Sequence, residues 1–322
     1  MALFGVGFVF LIKGADFLID GASLIAKKFG ISAFVVGLTI VAFGTSVPEL
    51  VVNISASLHG SSDIAIGNIL GSNIANIFLV LGVSAVMIPV VVKRRVMQKE
   101  IPISLLAILV MAFIANDSLV DPGETSMISR DDGIILIAFF MFFLYYVYTI
   151  ARKGKPKKEV EQFGHEKFAL SDGLKPFLYI IIGLAGLVLG GDWVINGAIS
   201  IASYAGVSES LIGLTILAIG TSLPELVTTV VAVGKKKSDI AVGNIIGSNI
   251  FNIFWILGVS AIILPIPFDA SMNFEVLTVV LATSLMIVFL KYVGEKYQIN
   301  KWQGMVFLTF YTIFLLLIIM RG

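Results

Sequence analysis

Two glutamates, Glu49 and Glu225, each stand inside a long apolar run and each ends the same pattern. Gly44-Thr45-Ser46-Val47-Pro48-Glu49 is matched 176 residues later by Gly220-Thr221-Ser222-Leu223-Pro224-Glu225. The same offset carries Gly67-Asn68-Ile69-Leu70-Gly71-Ser72-Asn73-Ile74-Ala75-Asn76 onto Gly243-Asn244-Ile245-Ile246-Gly247-Ser248-Asn249-Ile250-Phe251-Asn252. A carboxylate near the centre of a bilayer costs about 2.5–3.5 kcal/mol on insertion scales, so an acid kept there marks a function. Proline lacks the amide proton that a helix needs, so Pro48 and Pro224 free the carbonyls of Gly44 and Gly220. Thr45 and Glu49 are four residues apart and share a helix face, as do Thr221 and Glu225. Ser72 with Asn76, and Ser248 with Asn252, repeat that spacing. Every donor in these patterns is an oxygen. There is no cysteine, and both histidines, His59 and His165, fall in or near loops. Oxygen donors suit Ca²⁺, Mg²⁺ and alkali cations and not zinc or copper. Two carboxylates balance one divalent ion, and hydroxyls, amides and carbonyls could complete the six to eight ligands of Ca²⁺. Without it, the same oxygens could hold several Na⁺ ions, a physical basis for exchange.

The rest of the chain must place these residues in a membrane. The 322 residues are 58% hydrophobic and 13% charged, with a mean hydropathy of +1.01. Soluble domains carry about twice that share of charge. The expected class is all-α integral membrane, with ten transmembrane helices near 3–25, 32–58, 63–88, 101–116, 133–151, 174–203, 208–233, 239–264, 273–291 and 302–320. Lys27, Lys28, the Lys93–Lys99 cluster, the 152–175 segment, Lys235–Lys237, Lys291, Lys296 and Lys301 then occupy alternate loops. The opposite loops are acidic or nearly neutral, with Asp117, Asp121, Glu124, Asp131, Asp132, Glu209 and Asp269 against Arg130. The positive-inside rule puts the basic loops in the cytoplasm and both termini outside the cell membrane. Residues 1–151 and 174–322 each hold five spans, joined by a short charged cytoplasmic linker, 152–173. Five is odd, so the second half enters the bilayer inverted, a construction that places sites at the repeat interface near the midplane. The start of the chain lacks a basic segment and reads as a first span, not a cleaved signal. No nucleophile–base constellation marks an enzyme, and no basic patch marks nucleic acid.

With these motifs in hand, the chain resembles the cation/calcium exchanger superfamily, and within it the sodium/calcium exchangers of prokaryotic type. The paired Gly-Thr-Ser-x-Pro-Glu and Gly-Asn-x-x-Gly-Ser-Asn motifs look like that family's two α-repeats. The resemblance implies that Glu49 and Glu225 bind Ca²⁺ together with the carbonyls of Thr45 and Thr221. It implies Na⁺ sites using the hydroxyls of Thr45, Thr221, Ser72 and Ser248 and the carbonyls of Ala42 and Ala218. Ser46, Ser222, Asn76 and Asn252 would line the centre. It also implies electrogenic Na⁺/Ca²⁺ antiport by alternating access, with spans 1 and 6 sliding as a pair against the others. No cofactor and no protein partner are expected; the partners are the transported Na⁺ and Ca²⁺ and the lipid bilayer. Some members carry an aspartate where this chain has Asn252, so two fixed acids remain and K⁺ co-transport is disfavoured. The large Ca²⁺-sensing insert of animal exchangers is missing.

Blander readings stand beside these. Glycine, serine and threonine in membrane helices are mostly packing residues. Asn68, Asn73, Asn244 and Asn249 read as groups that hold helices together. The repeat-equivalent Asp16 and Asp192 could mark a gating element, though Lys13 could simply neutralise Asp16. The lysines at 235–237 read as a topology determinant. The alternative function is H⁺/Ca²⁺ exchange, because buried glutamates can be protonated. The hydroxyl-rich Thr-Ser pairs favour sodium, since protons need no such cage.

Overall fold

The computed structural model describes residues 2–117, 126–153, 173–205 and 218–321. The described chain is mostly helical: α1 Ala2–Phe29, α2 Ala33–Thr45, α3 Val47–Leu58, α4 Ser62–Met87, α5 Arg94–Ile114 and α6 Arg130–Arg152. There follow α7 Lys175–Tyr204, α8 Leu223–Gly234, α9 Ser238–Ile263, α10 Ala270–Tyr292 and α11 Lys301–Arg321. Among the described residues, seven helices are each long and apolar enough to cross a membrane, and the pair α2–α3, bent by 45° at its break, meets the same test when taken together. Of the remaining two expected spans, the first falls on the 28-residue α1. The seventh ends in α8, which is preceded by a short turn of helix, Ala218–Gly220. The start of that span, with Gly213 to Leu217, lies outside the described residues, as do Glu209, Asp121, Glu124, His165 and nearly all of the expected linker.

The chain forms two compact units, each drawn from both halves of the sequence. The first comprises Met1–Thr45, Tyr145–Gly247 and Ile313–Gly322; the second comprises Ser46–Leu144 and Ser248–Thr312. In the first unit, α1 and α7 run antiparallel with their backbones touching. Glycine recurs every seven residues on both: Gly7, Gly14 and Gly21 on α1, and their repeat equivalents Gly183, Gly190 and Gly197 on α7. A Cβ at Gly14 would sit 2.8 Å from the Gly183 carbonyl oxygen, and one at Gly183 would sit 2.5 Å from the Leu18 nitrogen. Lipid tails are as apolar as leucine, so membrane helices associate through such close approach instead of through the hydrophobic effect. Spans 1 and 6, expected to be partners, are therefore packed side by side. The loop after α8 reaches α1 as well. Lys235 Nζ lies 3.1 Å from Asp16 Oδ1, 3.2 Å from the Asp16 carbonyl oxygen and 2.9 Å from Asp20 Oδ1, with Lys237 Nζ 3.3 Å from Asp20 Oδ1. Burial pulls the Lys237 ammonium below its usual pKa, against the opposing pull of Asp20.

The second unit is arranged with internal correspondence. Phe78 packs on Phe307 and Phe310, while its repeat equivalent Phe254 stacks on Phe139 at 5.5 Å. Gly82 faces the Gly304 carbonyl, and Gly258, the equivalent of Gly82, faces Gly133. Two short antiparallel ribbons follow the same logic. Strand β1 (Val90–Val91) pairs with β4 (Gln298–Ile299), and β2 (Met127–Ile128) pairs with β3 (Ile266–Pro267), the equivalent of β1. Two further acids are buried in this unit at the starts of helices: Glu100, with Arg95 Nε at 3.7 Å, and Glu275.

The touching backbones of α1 and α7 leave no room for a side chain at their contact. Gly183→Leu is expected to force the pair apart and cost at least about 1–3 kcal/mol, the range for overpacked cores. Gly5→Leu, where nothing lies within 4 Å of the added carbon, is the control. Apparent melting temperature in detergent reads the difference: a clear fall for Gly183→Leu and none for Gly5→Leu.

Candidate cation-binding site

Both proline-containing motifs interrupt their helices at the serine. Ser46 has φ −86° and ψ 9°, and Ser222 has φ −86° and ψ 3°. A new helix then starts with proline in its first turn, the position where a missing N–H costs nothing. The Leu50 N–H returns to the Ser46 carbonyl at 3.1 Å and the Leu226 N–H to the Ser222 carbonyl at 3.0 Å. Glu49 and Glu225 thus fall in the first turns of α3 and α8, where the positive end of the helix dipole favours a carboxylate. Each glutamate is 1% exposed, so neither points into lipid.

In the second unit, Glu49 meets a hydroxyl and two amides. Ser72 Oγ donates to Glu49 Oε1 at 3.4 Å. The Glu49 backbone carbonyl accepts from Asn53 Nδ2 at 3.0 Å and from Asn68 Nδ2 at 3.4 Å. Asn76 and Asn252 lie in repeat-equivalent seven-residue π-helical segments, Ala75–Leu81 and Phe251–Leu257. Such wide turns recur at functional sites because they redirect side chains and loosen the hydrogen-bond ladder. The two asparagines are linked by a lattice of amides. Asn76 Nδ2 donates to Asn249 Oδ1 at 2.9 Å, and Asn252 Nδ2 donates to Asn73 Oδ1 at 3.0 Å. Asn73 Nδ2 reaches the Asn249 backbone carbonyl at 3.4 Å. The Oδ1 atoms of Asn76 and Asn252 are buried and have no hydrogen-bond donor among the described residues. Ser46 and Ser248 are buried in the same unit.

In the first unit, Asn244 takes the central place. Its Oδ1 accepts from Thr45 Oγ1 at 3.1 Å, and its Nδ2 donates to Thr229 Oγ1 at 3.2 Å. The Thr45 hydroxyl also lies 3.3 Å from the Ala42 carbonyl. Thr221, Ser222 and Glu225 are buried, and the Ser222 hydroxyl has no hydrogen-bond partner among the described residues. The backbone of Ala218 opens the short helix before the break. Among the described residues, no three histidine, cysteine, aspartate or glutamate side chains come together. The chemistry available within either unit is therefore one carboxylate with hydroxyl, amide and carbonyl oxygens, a set for hard cations.

Several contacts were beyond the reach of sequence reasoning. Asp16 meets Lys235 at 3.1 Å, closer than Lys13 at 3.9 Å. Asp20, on the same stretch of α1, draws in Lys235 and Lys237. Asp192, the equivalent of Asp16, instead accepts from Asn196 at an exposed position. The only available signal was that Asp16 and Asp20 are one turn apart and therefore share a helix face.

The whole sequence matches the profile of the sodium/calcium exchanger protein family over residues 1–149 and 175–320. It is 34% identical over 339 residues to the sodium/calcium exchanger MaX1 of Methanosarcina acetivorans, covering 97% of this chain and 96% of that one. It is 39% identical over 268 residues to the inner membrane protein YrbG of Escherichia coli, covering 82% of this chain and 80% of that one. The fold aligns with a structure of the sodium-calcium exchanger NCX_Mj soaked with 10 mM Na⁺ and no Ca²⁺. That alignment has a TM-score of 0.79 and 32% identity, covering 97% of this chain and 96% of the other.

Removing Asn244 would take away the nearer acceptor of the Thr45 hydroxyl and the donor to the Thr229 hydroxyl, both buried, a loss of about 1–3 kcal/mol. Asn244→Ala should therefore lower the thermal unfolding temperature in ion-free detergent. Thr45→Ser, which keeps the donor, should stay near the unmodified protein, and exposed Asn196→Ala should change stability by less than about 0.5 kcal/mol.

Proposed function

Because this chain belongs to the sodium/calcium exchanger family, we propose that it exchanges Na⁺ for Ca²⁺ across the cell membrane by alternating access. The observation that carries the reading is the pair of fully buried glutamates, each in the first turn of a helix that restarts at a proline break. Such acids are expensive in a membrane unless a cation or a proton accompanies them. Glu49 and Glu225 bind Ca²⁺, with the carbonyls of Thr45 and Thr221. The hydroxyls of Thr45, Thr221, Ser72 and Ser248 and the carbonyls of Ala42 and Ala218 bind Na⁺. Ser46, Ser222, Asn76 and Asn252 line the centre. Two acids and many neutral oxygens can be satisfied by one divalent ion or by several monovalent ones, so the two loads compete for one charge. Only a loaded, neutralised site crosses an apolar barrier at low cost, and this links the two fluxes. The ten spans form two inverted five-helix repeats, 1–151 and 174–322, with the linker in the cytoplasm and both termini outside. The abundance of buried hydroxyls favours Na⁺ over H⁺ as the exchanged ion. Electrogenic cycling follows if the monovalent charge carried exceeds that of one Ca²⁺.

Reconstituted vesicles loaded with Na⁺ should take up ⁴⁵Ca²⁺ with the pH gradient collapsed. A pH gradient without Na⁺ should drive none, and the opposite result would assign proton exchange. Glu49→Gln and Glu225→Gln should each cut initial uptake by more than about tenfold, a loss of at least about 1.4 kcal/mol. Wild-type uptake in both variants would end the assignment. An imposed membrane potential should change the rate, since one charge moved across 100 mV carries about 2.3 kcal/mol.

A further inference from the structure

We propose that Asn73 and Asn249 are positioning residues. They fix the amides of Asn76 and Asn252 with their nitrogens turned away and their oxygens offered to the transported cation. The proposal rests on the reading of Asn76 and Asn252 as residues of a cation site. It does not give Asn73 or Asn249 any contact with the ion.

An asparagine amide has one accepting end and one donating end of nearly the same shape, so either can face a cavity. A cation tolerates only the oxygen. Something must therefore break the ambiguity, and the lattice does so from a group that has none. The Asn249 backbone carbonyl can only accept, so the end of the Asn73 side chain 3.4 Å from it is the nitrogen. The other end of Asn73 is then an oxygen, and Asn252 meets that oxygen at 3.0 Å. Asn252 must present its own nitrogen there, which leaves its Oδ1 as the free end. Asn76 makes the matching bond to Asn249 Oδ1 at 2.9 Å, leaving its Oδ1 free in turn. Both freed oxygens are buried, and neither has a donor among the described residues. A buried acceptor left open costs stability unless something completes it, and a desolvated cation is the complement such an oxygen takes.

The spacing explains why the sequence repeats Ser-Asn-x-x-Asn and not a single asparagine. Within each helix the positioning residue and the residue it would serve are three apart, yet each serves the partner on the other helix. Asn73 of α4 sets Asn252 of α9, and Asn249 of α9 sets Asn76 of α4. The exchange is reciprocal, so one change upsets one oxygen and leaves the other set. Losing Asn73 removes the acceptor that holds the Asn252 nitrogen, and the amide can then turn its N–H groups toward the ion.

The test is a double-mutant cycle on half-saturating Ca²⁺ and maximal rate in Na⁺-driven ⁴⁵Ca²⁺ uptake by reconstituted vesicles. Asn73→Ala and Asn252→Ala should each raise half-saturating Ca²⁺ by about tenfold or more, as loss of a group behind a metal ligand commonly does. The double variant should be no worse than Asn252→Ala alone, because Asn73 acts only through Asn252. Asn249→Ala and Asn76→Ala should form a second cycle with the same outcome. Additive effects in both cycles would overturn the positioning role while leaving Na⁺/Ca²⁺ exchange intact. So would a fall in maximal rate with half-saturation unchanged, or failure of both Asn73→Ala and Asn249→Ala to fold. Absence of exchange in the unmodified protein would overturn this proposal together with the function it rests on.

Discussion

The structure is organised by the difficulty of keeping a carboxylate dry. An acid inside a bilayer must be neutralised by a proton, a fixed cation or a mobile one. Glu49 and Glu225 are 1% exposed; the Ser72 hydroxyl bonds the Glu49 carboxylate, while the amides of Asn53 and Asn68 bond its backbone carbonyl. Lys235 and Lys237, in the loop after α8, engage Asp16 and Asp20. Hydroxyls and amides stabilise a negative charge without cancelling it. A helix N-terminus adds only a fraction of a positive charge. On the proposed function, the carboxylates are neutralised by the transported cations, and that is the physical root of exchange.

Much of this was legible in the sequence, for a reason specific to membranes. Outside the bilayer a glutamate carries little information; inside a run such as Gly37 to Val52 it is an anomaly. The proline one residue before it, repeated at a fixed offset, turned the anomaly into a pattern. The interruptions at Ser46 and Ser222 follow directly, since a proline cannot continue the ladder it enters. The pairing of spans 1 and 6 rested on family resemblance, although the sequence held a direct signal. Glycines at 7, 14 and 21, repeated at 183, 190 and 197, give a seven-residue stripe on both helices. The bulkier reading, in which each glycine is merely small, hides the fact that the two stripes face each other.

Other features were not legible because they depend on direction and not on identity. Asn68, Asn73, Asn244 and Asn249 were read as groups holding helices together, and each does bond to another residue of its unit. The sequence does not say which end of an amide faces which neighbour, nor that α4 and α9 widen into π-helical turns just where Asn76 and Asn252 stand. A π turn needs no special residue, so hydrophobic periodicity passes over it. Glu100 and Glu275, in the first turns of the segments Glu100–Ile114 and Asn273–Tyr292, are buried, which hydropathy alone does not show. Burial of a helix-end acid depends on what folds over it, and short ribbons such as β1–β4 form between strands about 200 residues apart.

The two halves are alike where one copy of a repeated motif packs against the other copy, and differ elsewhere. Gly14 touches Gly183 and Gly186 while Gly190 touches Gly7, and Asn73 bonds to both Asn249 and Asn252. At such places a change in one half must be answered in the other, because both sides of the contact come from equivalent positions. Asn53 has no such constraint. Its equivalent is Thr229, and the bonding differs accordingly: Asn53 and Asn68 both donate to the Glu49 carbonyl, whereas Thr229 pairs with Asn244. Asp20 of the first half and Lys235 of the second form an ion pair, whereas their counterparts, Asn196 and His59, bond locally to Asp192 and to the Ser55 carbonyl. On the proposed function, the two ion-facing motifs must be matched in charge and spacing, while the two ends must differ, since each would open to its own side of the membrane. Symmetry enforced at the contact surfaces and relaxed at the periphery meets both requirements with a single duplicated design.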